Sequence, residues 1–264
     1  MRCLSVQSGI WVGLDPFAQK STISGLEEEM KTSTRVIGLV AVVASIAVAA
    51  YAADTYSLKR VAKVGDTLKY KFSADVDFGG QAAQVTFSTV DKVTKVEDNG
   101  NISTESKQEN MKVSFGGQEM SPEDQPARTT ITKSTGEIVE IKGEMVDGSA
   151  YRFSNMNIVK APEAPVKVGD KWSYEVKADS KTGAVAGKAD YEVLAAEKVG
   201  DRDTVKIKWT YKETEGTDAA SSEGTVWMDA KDGAVVKASG SFTKAPIPGA
   251  PGPVDMKFTM ERVG

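Results

Sequence analysis

The stretch KVGDTLKYKFSAD, residues 63–75, returns 104 positions later as KVGDKWSYEVKAD, residues 167–179. Seven positions coincide: Lys63, Val64, Gly65, Asp66, Tyr70, Ala74 and Asp75. Leu68 opposite Trp172 and Phe72 opposite Val176 are apolar exchanges. From Thr67 the first copy alternates without error. Leu68, Tyr70, Phe72, Ala74, Val76 and Phe78 fall on one side; Thr67, Lys69, Lys71, Ser73, Asp75 and Asp77 fall on the other. Period two means a strand with one buried and one wet face, and that in turn means antiparallel pairing. The pattern recurs at Trp172/Tyr174/Val176/Ala178, Val205/Ile207/Trp209/Tyr211 and Val254/Met256/Phe258/Met260. Residues 67–78 would span roughly 40 Å at ~3.3 Å per residue, about twice a usual strand. Such length suits a curved sheet wrapped around its own apolar face.

Two more blocks recur in the same order. KVEDNGNI from Lys95 aligns with KVGDRDTV from Lys198, and TITKSTGEIVEIKG from Thr130 aligns with VWMDAKDGAVVKASG from Val226. Three ordered matches point to duplication of a unit of about 100 residues, too few copies for a solenoid. The Val-Gly-Asp before each first strand reads as a turn, with Gly65 and Gly169 supplying an unusual backbone angle and Asp66 and Asp170 bonding nearby amides. Asn99-Gly100, Thr135-Gly136, Asp232-Gly233, Gly79-Gly80 and Gly116-Gly117 sit between apolar runs, as hairpins require. The only helical signal after Asp54 is a short one near residues 143–149. The expected layout is a first β lobe over residues 53–160, an extended Pro-stiffened linker over 161–166 (APEAPV), and a second β lobe over 167–264.

The N-terminus follows a different logic. Lys31 and Arg35 precede the uncharged run VIGLVAVVASIAVAAYAA, residues 36–53, which contains the A-x-A pattern Ala50-Tyr51-Ala52. This reads as a signal peptide over residues 30–52; a weak membrane anchor is the alternative. Residues 1–29 fit no targeting pattern and read as a mis-called start or a disordered extension. The expected location is therefore export from a bacterial cell, to the periplasm or the outside, with membrane contact only through the signal segment if it stays uncleaved.

Composition narrows the function classes. The chain has 33 basic and 37 acidic residues, a net charge of −4, which leaves no electrostatic footprint for nucleic acid. There is no histidine, and the one cysteine, Cys3, precedes the exported part. That removes the commonest general base and metal ligand and any internal disulfide. GAVAGKA at residues 183–189 is one residue short of a phosphate loop and ends in Ala where Ser or Thr is needed. Carboxylate pairs such as Asp75/Asp77 read as solvated, and no catalytic residue, cofactor or metal site is expected.

The phrase APEAPVKVGDKWSYEV, with the later W-M-D-x-x-x-G-x-V-V-K element (residues 227–237), resembles secreted bacterial β proteins that carry a Pro-Val-x-x-Gly-Asp-x-Trp motif. More distantly the chain resembles the half-barrels of periplasmic lipoprotein carriers. That resemblance implies a curved sheet that holds acyl chains; it carries over no catalytic residues. The reading is an all-β, antiparallel protein after an N-terminal signal helix, its two duplicated lobes forming curved sheets or a half-barrel. It is expected to be a non-enzymatic, envelope-associated protein binding a lipid or other apolar or amphiphilic ligand at Tyr70, Phe72, Trp172 and Tyr174. The alternative is a structural or protein-interaction module with a filled core, partnered by an envelope protein.

Overall fold

The computed structural model describes residues 54–264 other than 78, 79, 145 and 251. The expectations for residues 1–53, Phe78 and Gly79 lie outside the described residues. The elements are β1 (Thr67–Asp77), β2 (Ala82–Val96), β3 (Ile102–Phe115), β4 (Gln118–Met120), β5 (Arg128–Thr132), β6 (Ile138–Lys142), α1 (Gly148–Asn157), β7 (Lys171–Val176), β8 (Gly187–Val199), β9 (Arg202–Glu213), β10 (Ser221–Asp229), β11 (Val235–Ala245) and β12 (Val254–Arg262). They form one open antiparallel sheet in the order β6-β5-β3-β2-β1-β12-β11-β10-β9-β8-β7, with β4 appended to β3. The chain starts in the middle at β1 and meanders to one end at β6. It then crosses through α1 to the other end at β7 and meanders back until β12 pairs with β1. Hence the segments on either side of residues 161–166 share one sheet, sealed by the β1–β12 ladder from Tyr70↔Arg262 to Asp77↔Asp255.

The period-two pattern sets the faces. One row of directly paired residues runs Trp172–Tyr191–Trp209–Gly224–Gly240–Phe258–Ala74–Val85–Val113. The next runs Val193–Ile207–Val226–Ala238–Met260–Phe72–Phe87. These apolar rows define the inner face, and most of their members on β8–β12 are buried. Each large aliphatic side chain buried there, such as Ile207 or Val193, contributes about 1.5–3 kcal/mol. Lys71, Ser73, Lys237, Thr259 and Glu261 alternate with them on the outer face.

The two Val-Gly-Asp turns have the same geometry. Gly65 has φ 93° and Gly169 φ 91°, a region that costs a side chain strain. Gly65 N–H donates to Val93 O and Val93 N–H to Asp66 O, both at 2.9 Å; Gly169 N–H donates to Val193 O and Val193 N–H to Asp170 O, again at 2.9 Å. Asp66 Oδ2 accepts from Lys63 N–H at 2.8 Å, and Asp170 Oδ2 from Lys167 N–H at 2.9 Å. Each turn thus ties the start of its first strand to the next strand.

Two strand glycines have a separate role. A Cβ on Gly224 would collide with Ser239 O and the Trp209 ring, and one on Gly240 would collide with Glu223 O. Their bareness lets Trp209 and Phe258 meet across two intervening strands, with ring centroids 6.3 Å apart. Glycine inside a strand marks close backbone approach and a bend.

Helix α1 forms one turn later than the sequence signal at residues 143–149. Asp147 is its N-cap, accepting from Ser149 N–H at 2.9 Å and Ala150 N–H at 3.3 Å, so the helix cannot extend upstream. Its buried residues are Ala150, Ser154, Asn155 and Met156. It lies on the inner face, where Phe153 packs on Phe242 at 5.3 Å and Met156 O accepts from Ser222 Oγ at 2.7 Å. Arg152 forms a two-pronged ion pair with Glu213, Nε to Oε1 at 2.8 Å and Nη2 to Oε2 at 2.7 Å. The Pro-containing connector is anchored as well: Ala161 N–H donates to Thr135 O at 2.8 Å, and Val166 exchanges two backbone bonds with Tyr56.

Candidate functional site

The inner face is a trough with two unlike halves. Over β7–β11 it is filled: α1 and residues 158–166 sit on it, and Ala189, Tyr191, Val193, Ile207, Trp209 and Tyr211 are all buried. Over β2–β4 the same apolar rows continue without that cover. Val85, Phe87 and Val113 are only half-buried, Phe115 is 38% exposed and Met120 53% exposed. Phe115 pairs with Ala83, and Met120 with Val113, so both belong to the inner face.

Beside this apolar surface lies a polar one. Leu68, Asp91, Ser106 and Arg128 form one inner-face row; Tyr70, Thr89 and Gln108 form the adjoining row. Asp91 and Arg128 are two strands apart, and no salt bridge among the described residues includes either. Burial pushes the Asp91 carboxyl above its ordinary value, opposed by the Ser106 hydroxyl and the Arg128 guanidinium. Burial likewise pushes Arg128 below its ordinary value, opposed by Asp91. The two charges feel each other across β3.

The sequence-expected residues fall in both halves. Phe72 stands at the junction, half-buried, stacked on Phe87 at 4.5 Å and on Phe258 at 5.7 Å. Tyr70 is buried, and its hydroxyl donates to Val235 O at 3.1 Å; burial raises its pKa, with Asp91 adding to the effect. Trp172 and Tyr174 lie on β7, with β8–β12 between them and β1. Trp172 is stacked on Tyr191 at 4.9 Å, and its indole N–H donates to Lys160 O at 2.7 Å. Tyr174 is half-buried, its phenol pKa raised by burial and then by Glu137. The structure therefore brings Tyr70 together with Phe72, and Trp172 with Tyr174, but not the two pairs with each other.

Sequence reasoning missed Asp91, Arg128, Phe115 and Met120. Continuing the period-two face of β1 by register into β2 and β3, and from β3 into β4 and β5, would have found them. It also missed Lys160, buried in the segment that covers the filled half of the trough, with Nζ donating to Ile158 O at 3.1 Å. Burial pushes that amine down to about 7, opposed by Glu137.

The outer face offers two shallow hollows. One of about 360 Å³ lies over Lys71, Ser73, Ser88, Lys237, Thr259 and Glu261; one of about 460 Å³ lies over Lys208, Glu223, Thr225, Ser239, Ser241 and Lys257. Phe72, Phe87 and Met260 also line the first, and Phe258 the second. Nearby, Trp227 lies under Lys206 and Lys237, whose amines sit 5.0 and 5.4 Å from its ring centre. Among the described residues no cluster of three or more His, Cys, Asp or Glu could hold a metal ion. No helix among them is long and apolar enough to cross a membrane.

No family model matches the chain, and no curated protein matches it. Among solved structures it is similar to a candidate exported protein with a YmcC-like fold from Bacteroides fragilis, at 11% identity over 80% of this chain and 100% of that one, TM-score 0.33. It is also similar to the hypothetical lipoprotein YmcC from Escherichia coli, at 12% identity over 78% and 91%, TM-score 0.29. A third is a DUF1329 family protein from Desulfovibrio piger, at 11% identity over 76% and 85%, TM-score 0.23. Likeness at this level carries no argument about function.

Proposed function

We propose that this is an exported, non-enzymatic binding protein that holds an amphiphile in the uncovered half of its trough. The supporting observation is the contrast along one set of inner-face rows: buried under α1 at one end, half-buried as Phe87 and Val113 and exposed as Phe115 and Met120 at the other. Contiguous exposed apolar surface on a soluble fold marks a binding site. The ligand's apolar chain lies against those residues and Phe72, and its polar head meets Thr89, Gln108, Asp91 and Arg128. Tyr70, Trp172 and Tyr174 shape the trough through their internal contacts. Export rests on the charged-then-apolar segment of residues 31–53, and the two lobes derive from duplication, which the matching Gly65 and Gly169 turns favour.

The filled half favours a second reading, a protein-interaction module with a dry interior. A titration separates the two. A polyene fatty acid that fluoresces on transfer to an apolar site is expected to bind saturably, and Phe115→Glu, a rim change that spares the core, is expected to weaken binding at least about tenfold, because a Phe contact of this kind is worth roughly 1.5–3 kcal/mol. Val168→Glu, at the exposed turn before β7 and at the far end of the strand order from β2–β4, is expected to change nothing. Absence of saturable binding by the unaltered protein would favour the interaction module.

A further inference from the structure

The sheet is open, so it has two end strands, and they are treated differently. At the β6 end the backbone is capped: Ile141 N–H donates to Tyr151 Oη at 3.0 Å, and the Tyr151 hydroxyl donates back to Ile141 O at 3.5 Å. At the β7 end, hydrogen bonds among the described residues reach the strand backbone only from β8. An open edge of this kind is a template for another strand. β7 is short and carries Lys171 and Glu175, but three other protections are missing from it. It has no proline, no bulge in its ladder with β8, and no charge on its inner face.

What β7 does carry is a sequence that matches itself. Its residues are Lys171-Trp172-Ser173-Tyr174-Glu175-Val176. Lys171, Ser173 and Glu175 are exposed on the outer face; Trp172 and Tyr174 stand on the inner one. Antiparallel pairing with a second copy about a two-fold axis at Ser173 puts Lys171 opposite the other copy's Glu175, and Glu175 opposite its Lys171. The same register puts Trp172 opposite the other copy's Tyr174. Opposite charges and aromatic pairs directly across strands are both stabilising. Shifting the register by one residue opposes inner-face residues with outer-face ones, and shifting by two breaks the charge match.

We propose that β7 pairs with β7 of a second copy of this chain, in the register that sets Lys171 against Glu175, giving a two-fold symmetric dimer whose sheet continues through both protomers. An isologous interface needs a self-complementary patch, and this strand supplies one. A six-residue strand is a small contact, so the dimer is a reversible, concentration-dependent one.

Sedimentation of the purified protein over a wide concentration range tests this. The unaltered protein is expected to pass from monomer to dimer. Lys171→Glu alone sets Glu against Glu, and Glu175→Lys alone sets Lys against Lys; each is expected to raise Kd at least tenfold. Mixing the two single variants restores both attractive pairs, so the mixture is expected to dimerise about as well as the unaltered protein. Circular dichroism of each single variant confirms that it is folded. A monomer at every concentration overturns the proposal. So does a dimer that both single variants form unchanged, or a mixture that stays monomeric while its components are folded.

Discussion

Arg152→Met is expected to lower the stability of the protein by about 3–5 kcal/mol, the range for removing one partner of a buried ion pair. The Glu213 side chain is fully buried and Arg152 is 24% exposed. The carboxylate accepts two bonds from the guanidinium and one from Ala220 N–H at 2.8 Å. Taking Arg152 away leaves a buried charge with a single backbone donor. The pair also fastens α1 to β9, so its loss frees the helix from the filled half of the trough. Urea unfolding measures the effect as a fall in midpoint with little change in slope. The double variant Arg152→Met with Glu213→Leu is expected to recover most of the loss, because two apolar side chains of similar size replace a desolvated pair at little cost. A single-variant loss below about 1 kcal/mol would show that the pair is solvated.

Lys160→Met is expected to act in the opposite direction. The Lys160 amine is buried, and its pKa falls from 10.5 to about 7. Between those values the unfolded chain binds a proton that the folded chain does not, so stability rises with pH across that window. Below about 7 the folded protein also takes the proton and must hold a buried ammonium, and this contribution is at its least favourable. At 1.36 kcal/mol per pH unit, raising pH from 7 to 9 is expected to stabilise the protein by roughly 2–3 kcal/mol through this group. The facing groups are Glu137, which favours the charged amine, and the Tyr191 and Tyr174 phenols, whose pKa values are raised by burial. The phenols stay protonated in both states over this range, so they add no slope there. Met fills similar volume without the charge. Its variant is expected to be more stable at pH 7 by on the order of 2 kcal/mol and to lose the rise toward pH 9. Thermal unfolding at a series of pH values checks both points; a slope that survives the substitution would assign it to another group.

The alternation from Thr67 to Asp77 was enough to read β1, its two faces and antiparallel pairing, because period two is imposed by local geometry alone. The Val-Gly-Asp turns were legible for the same reason, since their glycine angle and Asp cap involve only nearby residues. The joining of the segments before and after residues 161–166 through β1 and β12 was not, because which strand neighbours β1 depends on residues nearly two hundred positions apart. Helix α1 was placed a turn too early: the signal of Asp147 as an N-cap was passed over, and the helix owes its position to packing on Phe242 and the Arg152–Glu213 pair. Gly224 and Gly240 carry no pattern in the sequence, and the crossing of Trp209 toward Phe258 explains them. For the candidate site, Phe72 was legible as an inner-face aromatic. The sequence offered no sign that Trp172 would be engaged by Lys160 O, nor that Phe115 and Met120 would stay exposed on the inner face, because cover is a property of the whole sheet.

The uncovered half of the trough is tested most directly by native mass spectrometry of the protein taken from its own cell envelope without detergent. The expected spectrum shows a folded species heavier than the bare chain by the mass of one amphiphile, and the adduct is lost in Phe115→Glu. A spectrum of bare protein alone, under conditions that keep a known lipid carrier loaded, would contradict it.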